Sequence, residues 1–134
     1  MIQIREIDHI VLRAQDQPKL VAFYCDVLGC KIERERPDLG LVHLRAGRSM
    51  IDVISVTGKL GQVGGTAPGQ EARNVDHFCF RVDPFDAQAL QAHLREHGVA
   101  TSEVTDNFGA EGSGPSFYFN DPEGNSIELK GPSR

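Results

Sequence analysis

Asp8-His9-Ile10-Val11-Leu12-Arg13 and Asp76-His77-Phe78-Cys79-Phe80-Arg81 are two versions of one hexapeptide, Asp-His followed by three apolar residues and Arg. Their histidines stand 68 residues apart in a chain of 134, and self-similarity at such a spacing marks a duplicated structural unit. Each copy also leads into the same kind of helix. In the first, Asp16 or Gln17 caps a helix, Pro18 opens it, Leu20, Phe23, Val27 and Leu28 form its apolar stripe, and Gly29 stops it. In the second, Asp83 caps, Pro84 opens, Ala87, Leu90 and Leu94 form the stripe, and Gly98 stops it. The step from His to Gly is 20 residues in one copy and 21 in the other.

Beyond each helix the pattern changes to short extended runs. The first half offers 31–35, 40–45 and 50–56, with Ala46-Gly47-Arg48 as a turn. The second offers 99–104, 116–120 and 125–130, with Asp121-Pro122-Glu123-Gly124 as the matching turn and 105–115 as a longer loop. Each half therefore reads βαβββ. Two such halves predict one α+β domain over about residues 5–131, with repeat one at about 5–57, a Gly-rich linker at about 58–74 and repeat two at about 75–131. Neither half has enough core to stand alone, so the expected architecture is a cup-shaped partial barrel of about eight strands with the helices outside.

Composition sets the outer bounds. Fourteen basic and 19 acidic residues give a net charge of −5, which argues against nucleic acid as a partner. The longest apolar run is six residues, Leu20–Cys25, far short of the roughly 20 that a membrane span needs. Met1–Glu6 lacks the apolar core of a signal peptide. The three cysteines include no C-x-x-C pair, so they read as reduced thiols of a cytoplasmic protein.

Strand alternation then selects the chemistry. His9, Val11 and Arg13 share one strand face, as do His77, Cys79 and Arg81. Asp52 shares its face with Ile54, and Glu128 with Ser126 and Lys130, while Ile10, Leu12, Phe78, Phe80, Val53, Ile127 and Leu129 take the opposite faces, where the helices should pack. The polar residues on the non-helix face are thus His9, Asp52, His77 and Glu128, a pair from each repeat. Two imidazoles and two carboxylates suit Ni²⁺, Zn²⁺, Mn²⁺, Co²⁺ or Fe²⁺ without choosing among them. Without the shorter Asp52, two His and Glu128 still make a facial triad with open positions. An ion there would act as a Lewis acid on a substrate oxygen or an adjacent C–H. His93 and His97 lie four apart on a helix with no third ligand near in sequence, and read as a solvated helix face.

Asp8-His9-Ile10, Phe23-Tyr24-x-x-Val27-Leu28-Gly29, Asp76-His77-Phe78 and Phe119-Asn120-Asp121-Pro122-Glu123-Gly124-Asn125-x-Ile127-Glu128-Leu129 together resemble the vicinal oxygen chelate superfamily. That superfamily includes glyoxalase I, bleomycin-binding resistance proteins, fosfomycin-modifying thiol transferases and extradiol dioxygenases. The resemblance implies that His9, Asp52, His77 and Glu128 hold the metal and that Glu128 moves a proton between adjacent carbons of an oxygen-chelating substrate, such as a glutathione or other thiol–aldehyde adduct. It implies that Arg13 and Arg73 hold a substrate carboxylate, and that the protein is a homodimer. Asp52 stands where glyoxalase I-like enzymes carry Glu. Residues 110–116 resemble a loop that often carries a basic residue at Glu111, and their glycines suit a lid. The same resemblance leaves open a non-catalytic drug-binding protein, although Trp is absent. It also leaves open a thiol transferase on His9, His77 and Glu128, and an Fe(II) ring-cleaving oxygenase with His43 or Tyr118 as acid or base.

Overall fold

The computed structural model describes all residues, Met1–Arg134. The chain divides into two compact units, Met1–Asn74 and Val75–Arg134, and each carries the βαβββ order read from the repeat. The first unit contains β1 (His9–Ala14), α1 (Gln17–Asp26), β2 (Lys31–Arg36), β3 (Leu41–Ala46) and β4 (Ser49–Ser55). The second contains β5 (Phe78–Arg81), α2 (Ala87–Glu96), β6 (Thr105–Gly109), β7 (Gly112–Asn120) and β8 (Ser126–Lys130). The fold class is α+β. The sheet orders are β1-β4-β3-β2 and β5-β8-β7-β6, so both units place the first strand parallel to the last.

In the first unit Asp16 is the helix cap and accepts a hydrogen bond from the Lys19 N–H at 3.1 Å. Gly29, at φ +79°, lets the chain leave the helix, a conformation for which Gly carries no Cβ penalty. α1 packs on β2, β3 and β4. It buries Leu20 and Tyr24, and Leu12, Ala14, Leu44, Ile51 and Val53 are buried in the same unit. The alternation of β1 comes out as expected: Leu12 and Ala14 are buried, while His9 and Val11 are exposed. In the second unit the buried residues are Leu94, Phe117, Phe119, Ile127 and Leu129.

Two expectations for the second repeat need correction. The helix begins at Ala87 and its cap is Asp86, whose side chain accepts the Ala89 N–H at 3.1 Å. Asp83 and Pro84 lie before it, joined by a cis peptide bond. Asp86 also stands three residues before the N–H it caps, the geometry an N-cap requires. The second strand is 105–109 and not 99–104: the segment expected to be a loop is a β-hairpin, with Thr105 opposite Ser116 and Asn107 opposite Gly114. Thr105–Gly109 has no apolar alternation because it is an edge strand held by polar contacts. Asn107 Nδ2 donates to Ser116 Oγ at 2.7 Å and to Thr105 Oγ1 at 2.8 Å. Residues 99–104 meet β7 around Ser102, whose N–H donates to Tyr118 O at 2.8 Å.

The segment after β4 is tied to its own unit. Gln15 Nε2 donates to Pro68 O at 2.9 Å, and Asn74 exchanges two hydrogen bonds with the backbone of Arg13, both 3.1 Å. No helix in the structure is long and apolar enough to cross a membrane.

Candidate functional site

The two units build the same arrangement at their first and last strands. In the first, β1 sets Val11 beside Asp52, and β3 sets His43 beside Asp52 from the other side. In the second, Cys79 and Tyr118 flank Glu128 in the same register. Both carboxylates are buried, Asp52 at 6% and Glu128 at 5% exposure. Burial of a charged side chain demands a partner, and the two units answer that demand differently. Asp52 Oδ1 lies 2.9 Å from His43 Nδ1. Glu128 Oε1 lies 3.4 Å from His77 Nε2, while Glu128 Oε2 is buried with no hydrogen-bond partner.

Each candidate imidazole is oriented by the acid that precedes it. His9 Nδ1 lies 2.7 Å from Asp8 Oδ2, and His77 Nδ1 lies 2.7 Å from Asp76 Oδ2. A carboxylate on Nδ1 fixes the ring and directs the Nε2 lone pair outward, the usual support of a metal-ligating His. The hydrogen bond to Asp8 holds His9 above its ordinary pKa of 6.5; burial opposes this, and the Asp52 charge adds to it. The Asp-His dipeptide was therefore a signal in its own right, since the Asp is the orienting group.

Tyr118 sits edge-on to His77, with ring centroids 5.5 Å apart. Burial, followed by the Glu128 charge, raises its phenol above the ordinary 10.0. Cys79 is exposed as a residue, yet enclosure of its thiol pushes it up to about 12, with Glu128 adding to the effect. The sequence reading did not single out Cys79, although its place opposite Glu128 is set by the β5–β8 register.

Arg13 is engaged with the linker. Its guanidinium donates to Thr66 O at 3.0 Å, Gly61 O at 3.0 Å and Gly65 O at 2.7 Å. Gly64 leaves room for it, since a Cβ there would stand 2.6 Å from the guanidinium carbon. Arg73 is exposed, one residue before Asn74. The repeat counterpart of Arg13 is Arg81, which bonds Glu111 at the β6–β7 turn. His93 and His97 lie on and just beyond α2, both exposed, as expected of a solvated helix face.

A pocket of about 490 Å³ opens in the second unit, and His77, Cys79, Arg81, Glu111, Glu128 and Lys130 line it together with the Phe108–Ala110 hairpin flank. This is the size of an ordinary small-molecule site. No three His, Cys, Asp or Glu side chains are grouped as a metal site. The donors nonetheless fit a divalent cation: an imidazole anchored through Nδ1 beside a buried carboxylate with a partnerless oxygen.

Residues 6–129 match the Glyoxalase/Bleomycin resistance protein/Dioxygenase superfamily. The chain belongs to this superfamily. Among its relatives, Escherichia coli YaeR, a protein described as uncharacterized, is 29% identical over 96% of this chain and 98% of its own length. The glutathione transferase FosA of Serratia marcescens is 27% identical over 94% of this chain and 80% of its own. The integron cassette protein VPC_CASS1, from the mobile metagenome of V. Pseudocholerae, superposes with a TM-score of 0.80 at 29% identity, covering 100% of this chain and 99% of that one. The superfamily spans lyases, transferases, oxygenases and binding proteins, so membership supplies the fold and leaves the reaction to the site.

Proposed function

We propose that the protein is a metal-dependent enzyme of glyoxalase type, a lyase or isomerase acting on a small substrate that chelates a divalent ion through adjacent oxygens. The observation that carries the reading is the buried Glu128 with its partnerless Oε2, 3.4 Å through Oε1 from an imidazole already anchored by Asp76. The reading assigns His9, Asp52, His77 and Glu128 to the ion. The ion would be Ni²⁺, Zn²⁺, Mn²⁺, Co²⁺ or Fe²⁺, and when bound it supplies Lewis acidity toward the substrate oxygens.

The chain's own residues do the rest. Asp8 and Asp76 fix the two imidazoles. Glu128 is the base that carries a proton between adjacent carbons, and its burial keeps water from competing for that proton. Tyr118, opposite Glu128 and edge-on to His77, orients the substrate. His43 holds the Asp52 carboxylate and so sets its direction. The protein is expected to work as a cytoplasmic homodimer on a thiol–aldehyde adduct, glutathione being one such thiol.

A second reading, thiol transfer to an electrophile on the same imidazoles and Glu128, is supported by the likeness to FosA over 94% of the chain. One experiment addresses both. Metal is titrated into the chelator-treated chain, and the loaded protein is then offered hemithioacetals and, separately, fosfomycin with a thiol. Consumption of the hemithioacetal supports the first reading, and thiol–fosfomycin adduct supports the second. Absence of affinity for all five ions sinks both and leaves a binding protein.

A further inference from the structure

Lys130 is a buried cation with no counter-ion. It is only 5% exposed and ends β8 on the same face as Glu128, lining the second unit's pocket. No carboxylate lies within ion-pair distance of it. Two glycines make its berth: a Cβ at Gly109 would stand 3.0 Å from its Cε, and one at Gly114 would stand 3.1 Å from its Nζ. With its stem packed in this berth and no fixed counter-ion, the Lys130 ammonium is placed to meet an anion that enters the pocket. Arg81, beside Lys130 in the β5–β8 register, already holds a carboxylate, that of Glu111. Arg81 and Glu111 are both exposed residues, and their contact ties the hairpin turn to β5 at the pocket.

We infer that Lys130 and Arg81 form a carboxylate-binding subsite in this pocket, and that Glu111 occupies Arg81 until a substrate carboxylate replaces it. The inference rests on the proposed reading that substrate enters beside Glu128. The ligand class is set by the partner Arg81 already has: a planar carboxylate matches the guanidinium fork, and Lys130 adds a point charge on the neighbouring strand. Lys130 comes two strand residues after Glu128, about 7 Å of rise. The substrate should therefore carry its carboxylate apart from the carbon that Glu128 serves, toward the end of β8. Release of Glu111 frees the hairpin turn, so binding and movement of the turn are one event.

The test uses the full chain, freed of metal by chelation, and the matched probes butanoate and butanamide tracked by amide NMR shifts. Butanoate is expected to shift the Glu111 and Lys130 amides saturably, and butanamide to leave them in place. Glu111→Gln, an exposed substitution, is expected to tighten butanoate about threefold or more by releasing Arg81, and Lys130→Met to weaken it about tenfold or more. Equal responses to the two probes, or unchanged or weaker butanoate binding in Glu111→Gln, would overturn the inference. If Lys130→Met does not fold, the Glu111→Gln result decides. Carboxylate preference without metal affinity sinks only the enzyme reading, and metal affinity without carboxylate preference sinks only this inference.

Discussion

His77 Nε2 stands 3.4 Å from Glu128 Oε1, longer than the usual N–H···O hydrogen bond. Nδ1 of the same ring is turned to Asp76 at 2.7 Å, so both ring nitrogens face carboxylates. A cation bound at Nε2 would also meet Glu128 Oε1. Glu128 of the second unit keeps a buried Oε2 without a partner, whereas Asp52 of the first unit lies 2.9 Å from His43.

From this pair comes the first expectation. His77→Ala should abolish stoichiometric metal binding, and Asp76→Asn should weaken it by about 10–100-fold, the usual cost of losing the group behind a ligating His. Calorimetric titration with Zn²⁺ and Ni²⁺ checks both. Full-stoichiometry, wild-type affinity in His77→Ala would refute the assignment of this ligand.

His9 sets the expected pH dependence. Its pKa is raised above 6.5, chiefly by the hydrogen bond to Asp8. The protonated ring is favoured in the folded chain, so its contribution to stability is complete below pH 6.5 and fades as pH climbs through the raised value. Metal competes with that proton, so affinity through His9 should rise over the same interval. An NMR titration of the ring should give a midpoint above 6.5 that falls back toward 6.5 in Asp8→Asn. Identical midpoints in the two proteins would remove Asp8 as the cause.

The second turn gives a stability expectation. Asp121 is 5% exposed and its carboxylate accepts the Glu123 N–H at 2.9 Å, the Asn125 N–H at 3.0 Å and the Asn125 side-chain amide at 2.8 Å. Asp121→Ala leaves those donors unsatisfied in a buried turn and should cost about 2–4 kcal/mol. Urea unfolding measures it. A loss below about 0.5 kcal/mol, the range of ordinary surface substitutions, would show that the turn holds without this side chain.

The repeat made most of the fold legible because duplicated signals check one another: His9 with His77, Gly29 with Gly98, Asp52 with Glu128. Legibility failed where one copy departs from the other. Thr105–Gly109 hid because an edge strand needs no apolar face, and its pairing is visible only through Asn107 and Ser116. The cap moved to Asp86 because two Asp-containing starts lie close together and the intervening Pro84 favoured the wrong one. The ligand candidates could be named from alternation alone. That Arg13 is taken up by the linker could not, since its acceptors are backbone carbonyls of Gly61, Gly65 and Thr66 that no side-chain pattern announces.

Cysteine chemistry supplies the last expectation. The Cys79 thiol is pushed from 9.0 up to about 12, first by desolvation and then by the Glu128 charge. Such a rise means about a thousandfold less thiolate than an ordinary cysteine near neutral pH, and the thiolate is the species that alkylates. Cys30 is buried, with its thiol pushed up to about 11, while Cys25 is raised less and is half-buried. Iodoacetamide at about pH 8, where an ordinary thiol is partly ionised, should therefore mark Cys25 before Cys79 in peptide mass spectra, although Cys79 is the exposed residue. Glu128→Gln removes the charge but not the enclosure, so it should speed Cys79 alkylation part of the way toward that of a free thiol. Fast labelling of Cys79 in the unsubstituted chain would show that its thiol is not held up by this enclosure, and an unchanged rate in Glu128→Gln would remove the Glu128 charge as a contributor.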